Sequence, residues 1–218
     1  MQYEKISTKK MTVLALFCAL AVVLTLLFRV PLVPSVSFLT YDAKDVVIGM
    51  AGFLFGPISA MIVSAISSAI ELLFRGGNII DWLMNVLSSC AFACTAAVVY
   101  KRMHSKNGAF VGLCAGIAVQ IVVMLLWNYI MDPIYFGMPR EAVVTLLPAI
   151  ALFNFLKGLI NAGILLLVYK PVSNALHKSG ALGKREEEEI TGHKMAGAVG
   201  TFAILTLAII ILAVINVI

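Results

Sequence analysis

Apolar runs of about 20 residues, the length a helix needs to cross the hydrocarbon of a bilayer, recur along this chain and leave it few ways to fold. They cover residues 11–30, 57–74, 82–100, 108–131, roughly 142–169, and 195–218. Within lipid every backbone amide must find its partner inside the chain, which only helices and closed barrels achieve. The runs are continuous rather than alternating, so they predict helices. Composition agrees: 12 % of residues are charged, 61 % are apolar and the mean hydropathy is +1.03. A soluble domain carries about twice that charged fraction. The fold class expected is all-α, a polytopic membrane helix bundle embedded in the lipid bilayer.

Residues 45–74 are too long for one span and almost free of charge until Glu71 and Arg75. Gly56-Pro57 divides them, because proline cannot continue a helix ladder and disfavours helical geometry in the residue before it. A short helix at 45–55 and a fuller one at 57–74 follow, giving six helices by residue 170 and a seventh at 195–218. The domains expected are a membrane bundle over 1–172, a charged cytoplasmic linker over 173–194 containing the KREEEE run, and an accessory C-terminal helix.

Lys and Arg collect on the cytoplasmic side of membrane proteins. With the N-terminus inside, the inner segments hold 11 of the 16 Lys and Arg and the outer ones Arg29, Lys44, Arg75 and Arg140. The net charge of +5 is spread in short groups between apolar runs, which suits orientation and not nucleic acid. The N-terminal MQYEKISTKK is basic like a signal peptide but precedes no small-residue cleavage site, so the first helix is expected to stay. Cys18, Cys90, Cys94 and Cys114 lie within apolar runs and the three histidines in connectors, an arrangement that predicts no metal site, catalytic residue or disulfide framework.

The informative residues are the polar ones that lipid rejects. A lysine in the middle of a span costs about 2.5 to 3.5 kcal/mol on insertion scales, and Lys157 lies well inside the run 142–169. Asn154, Lys157 and Asn161, spaced i, i+3, i+7, fall along one helical face. We expect this stripe to face a site where a captured ligand compensates the buried ammonium. Asn128, in LLWNYIMDP, adds an amide with both donors and acceptors. Its neighbours Trp127 and Tyr129 offer flat apolar surface for a planar ligand, although taken singly each ring suits an interfacial aromatic belt. The segment PLVPSVSFLTYDAKD is long for a hairpin and brings Phe38, Leu39, Tyr41 and Asp42 to the outer side. Asp45 reads as a first-turn acid favoured by the helix dipole, Asp42 as solvated or paired with Lys44, and Glu71 with Arg75 as an i, i+4 ion pair. Asp81, Asp132 and Glu141 are expected outside, flanking helices. Ala15 and Ala19, and Gly108, Gly112 and Gly116, have the spacing of close helix contacts in lipid.

Taken together, Ala15-x-x-x-Ala19, FLTYDAKD running into GMAGFLFGP at 49–57, and FNFLKG at 153–158 resemble the substrate-binding S components of energy-coupling factor vitamin transporters, and within that family its riboflavin-binding members. The resemblance spans residues 8–172 and leaves the C-terminal helix outside. It implies a six-helix S-component fold in a bacterial cell membrane, riboflavin or FMN as transported ligand rather than cofactor, and partnership with a T component and two cytoplasmic ATPases. It also implies ligand hydrogen bonds from Asn128, Asn154 and Lys157, and T-component contact at Ala15 and Ala19. The expected pocket lies in the outer halves of helices four to six beneath the loop Phe38 to Asp42, with Asn161, Trp127 and Glu71 nearby. Pantothenate or folate are alternative substrates, since S components share a fold while taking different vitamins. An ion-coupled secondary transporter, with Glu71 carrying a proton, is a further alternative. An intramembrane enzyme fits poorly, because no histidine lies in a span and no acid pair stands at catalytic spacing. The chain carries no GxxxxGK[ST] motif, so ATP hydrolysis must come from partners.

Overall fold

The computed structural model describes residues 7–103 and 105–181. The described residues form six α-helices in sequence order: α1 (Thr8–Leu27), α2 (Lys44–Phe55), α3 (Pro57–Arg75), α4 (Ile79–Met103), α5 (Lys106–Phe136) and α6 (Arg140–Lys178). Five of them, all but α2, are long and apolar enough to cross a membrane. The 12 residues of α2 reach about 18 Å at 1.5 Å per residue, little more than half the hydrocarbon. The expected seventh helix and the KREEEE run lie outside the described residues.

Helix boundaries follow local chemistry. Gly56 takes φ 89 as the cap between α2 and α3, a left-handed value open to glycine, and Pro57 then starts α3 where its missing N–H costs nothing. The first helix begins earlier and ends earlier than the apolar run predicts, stopping at Leu27 just ahead of Arg29. Helix α6 runs through Pro171 to Lys178, into the stretch expected to be linker. The only β pairing among the described residues is an isolated antiparallel bridge between Val30 and Tyr41.

The short helix α2 is the centre of the bundle, with α1, α3, α4 and α6 all packed against it. Ten of its twelve residues are buried, including Lys44 and Asp45. Its glycines allow the close approach: a Cβ on Gly52 would lie 3.0 Å from the Ala97 methyl of α4, and one on Gly49 2.7 Å from a Leu165 methyl of α6. The small-residue stripe on α5 works the same way. A Cβ on Gly112 or Gly116 would meet the α4 carbonyl oxygens of Ala96 and Phe92 at 2.7 and 2.5 Å, so these two glycines seat α5 directly on the α4 backbone. Gly108 belongs instead to the turn at Met103 and Ser105.

Candidate functional site

The loop between α1 and α2 is a built structure. Val30 and Tyr41 exchange both backbone hydrogen bonds, 3.1 and 2.8 Å, and Pro34–Val36 forms a single 3-10 turn. Val33, Val36 and Leu39 are buried against Ile150 and Phe153 of α6, with Leu125 of α5 at the margin. Phe38 is partly exposed and sets its ring 5.3 Å from that of Phe136 at the C-terminal end of α5. The loop is therefore clamped onto both α5 and α6 by apolar contacts.

Beneath it, consecutive residues at the start of α2 anchor two polar clusters. Asp45 is fully buried. Its Oδ2 lies 3.0 Å from the Lys157 Nζ of α6 and accepts from Asn161 Nδ2 at 3.4 Å, while Ser89 of α4 donates to Oδ1. Lys44 extends the other way: its Nζ donates to Glu71 Oε2 of α3 at 2.7 Å and to Asn85 Oδ1 of α4 at 3.0 Å. Glu71 Oε1 accepts from Arg75 at 3.1 Å, and Arg75 also donates to the Thr25 carbonyl of α1. Buried charges of this kind persist only when paired and hydrogen-bonded, and here the pairs tie α2 to α3, α4 and α6, with Arg75 of α3 carrying the network on to α1.

Several expectations are corrected. The ammonium of Lys157 is compensated by Asp45 rather than by a ligand alone; the first-turn acid faces inward because α2 is buried on nearly every side. Asp42 is not solvated, and its Oδ1 accepts from the Lys44 backbone N–H at 3.1 Å. Burial acts to raise the Asp42 pKa, but Lys44, Lys157, that backbone bond and Arg29 outweigh it, and the carboxyl sits below its ordinary range. Burial, with Asp45 and Asp42 nearby, pushes the Tyr41 phenol up. Glu71 pairs with Arg75 as expected, but Lys44 takes its other oxygen, so it stands apart from the Lys157 cluster. Trp127 belongs to no aromatic belt: it is buried with Leu83, Met124 and Met131 where α4 meets α5. Tyr129, by contrast, is exposed. Asp132 is no outer flanking residue, since it is buried inside α5.

Asn128 and Asn154 are both buried and donate to their own helices, at Met124 O (2.6 Å) and Ile150 O (2.8 Å). Buried polar atoms with no hydrogen-bond partner among the described residues include Thr40 Oγ1 and Tyr41 OH of the loop, Asn128 Oδ1 and Asp132 Oδ2 of α5 and Asn161 Oδ1 of α6, besides Ser64 Oγ and Ser68 Oγ of α3 and Gln120 Oε1 of α5. Native interiors rarely leave such atoms unsatisfied. The loop, α5 and α6 each contribute, so the arrangement can receive a ligand with several hydrogen-bonding groups. Ala15 and Ala19 lie on the exposed face of α1, away from this site.

Residues 9–173 match the family described as "ECF transporter, substrate-specific component". The chain is a substrate-specific component of an ECF transporter. This S component is 29 % identical over 179 residues to the "Riboflavin transporter RibU" of Staphylococcus aureus (strain TCH60), covering 78 % of this chain and 93 % of that protein. It is 27 % identical over 173 residues to the "Riboflavin transporter FmnP" of Bacillus subtilis (strain 168), covering 74 % and 90 %. A solved structure described as "Structure and mechanism of the S component of a bacterial ECF transporter" superposes with a TM-score of 0.66 at 30 % identity, over 77 % of this chain and 97 % of that one. The S component is thus a multi-pass membrane protein of a transport system, and its fold is the one the resemblance implied.

Proposed function

We infer that this S component captures riboflavin, or its phosphate FMN, from the outer side of the membrane and holds it beneath the α1–α2 loop between α5 and α6. The observation that carries this is the set of unsatisfied buried polar atoms on Tyr41, Asn128 and Asn161, together with Lys157, under a loop held on both helices by apolar contacts. A flavin has a flat tricycle suited to the apolar walls and polar edges suited to the amides and the ammonium. Asn128, Asn154, Lys157 and Asn161 serve as the polar contacts, and Phe38, Leu39, Tyr41 and Asp42 form the cover. The names of the similar transporters support the flavin assignment.

Energy for release comes from partners, a T component and two cytoplasmic ATPases. The stripe of Ala15 and Ala19 is exposed among the described residues and suits close helix contact with the T component. The distribution of Lys and Arg supports a cytoplasmic N-terminus. Titration calorimetry of the purified protein with riboflavin, FMN, pantothenate and folate tests the assignment. Submicromolar flavin binding, with none for the other two vitamins, is expected; tight binding of either of those instead would reassign the substrate.

A further inference from the structure

Asn128, Asp132 and Phe136 follow one another at i, i+4, i+8 along a single face of α5. The first is a proposed ligand contact, and the last carries the ring on which Phe38 of the loop rests. Asp132 therefore lies between the amide and the cover, one turn nearer the outside than Asn128. It is 4 % exposed, and its Oδ2 has no hydrogen-bond partner among the described residues. A carboxylate in such a place is costly unless something donates to it. The cation of the site, Lys157 on α6, is already held by Asp45 at 3.0 Å.

We propose that Asp132 is a specificity-determining residue that accepts hydrogen bonds from the hydroxyls of the flavin's sugar-alcohol chain and disfavours a phosphate at its end. A carboxylate is an acceptor only, with room for two neighbouring hydroxyls, whereas Lys157 and the asparagine amides offer donors to the carbonyl and nitrogen edge of the ring. The two ends of the ligand are thus told apart by donor and acceptor polarity. A terminal phosphate would set like charges close together in a buried site, where they repel far more than in water.

The proposal rests on the flavin assignment, and three ligands separate the two. Lumiflavin carries the ring with a methyl in place of the polyol; riboflavin adds the hydroxyls; FMN adds the phosphate. The wild-type protein is expected to bind riboflavin about tenfold or more tightly than FMN. D132N should bind lumiflavin unchanged, bind riboflavin several-fold more weakly, and narrow the gap between riboflavin and FMN. Equal wild-type affinity for riboflavin and FMN would overturn the proposal, and that comparison needs no variant to fold. A D132N protein that loses lumiflavin and riboflavin alike would also overturn it, since a packing role alone has that effect. Wild type that binds no flavin removes the flavin assignment as well, whereas flavin binding without discrimination removes only the role of Asp132.

Discussion

Lys157 was conspicuous in the sequence because a lysine in mid-span is costly, and its stripe with Asn154 and Asn161 follows from helical spacing alone. Its partner was hidden. Asp45 has an ordinary explanation as a first-turn acid, and the contact with Lys157 exists only because α2 is swallowed by the bundle, which spacing along the chain does not reveal. The same holds for Lys44 with Glu71, whose i, i+4 pairing with Arg75 was legible while the longer-range bond was not. Asp45→Ala strands the Lys157 ammonium in a dry interior and is expected to cost about 3 to 5 kcal/mol of stability. The double variant Asp45→Asn with Lys157→Met removes both charges and should recover most of that loss, as read by thermal unfolding of detergent-solubilised protein; no recovery would mean that the two side chains are not energetically coupled. Asp42 gives a pH signature. Its folded pKa is depressed below the ordinary 3.8, so its stabilisation is fully present above the ordinary carboxylate range and is lost as pH falls through the folded value. The difference in Tm between wild type and Asp42→Asn should therefore be constant near neutral pH and shrink on acidification below that range.

At the scale of elements, the apolar runs and the Gly56-Pro57 break were enough to anticipate all six described helices, because lipid leaves the backbone no alternative. Their ends were less legible: α6 extends beyond its apolar run through Pro171, and α1 stops before Arg29. The placement of α2 at the centre was not legible either, since a short apolar helix has no polar face from which to read which side is covered. Trp127 shows the same limit, because one ring near a span end suits the belt or the interior equally until α4 is known to lie against it. The glycine stripe of α5 was legible as a contact face but not as a contact with α4. Gly116→Ala drives a methyl to 2.5 Å from the Phe92 carbonyl oxygen, a backbone atom that cannot swing aside. A loss of about 1 to 3 kcal/mol is expected, measured as a lowered Tm, with Gly163→Ala of α6, where an added methyl meets nothing within 4 Å, as the milder comparison outside the α4–α5 seam. Equal effects at the two positions would contradict the seating of α5 on α4.

At the scale of the described bundle, the pairs radiating from Lys44 and Asp45, extended by Arg75, bind α1, α2, α3, α4 and α6 into one unit, and the loop packs onto α5 and α6. Such a division suits the proposed capture of a nutrient with energy conversion left to partners: the loop covers the proposed site, while Ala15 and Ala19 of α1 are exposed among the described residues. The central claim is that the unsatisfied polar atoms beneath the loop are completed by a flavin. The visible absorption spectrum of the protein purified from flavin-containing medium tests this most directly. The account predicts yellow protein with flavin bands at a one-to-one ratio, and protein that stays colourless after incubation with riboflavin and FMN and removal of the free flavin would contradict it.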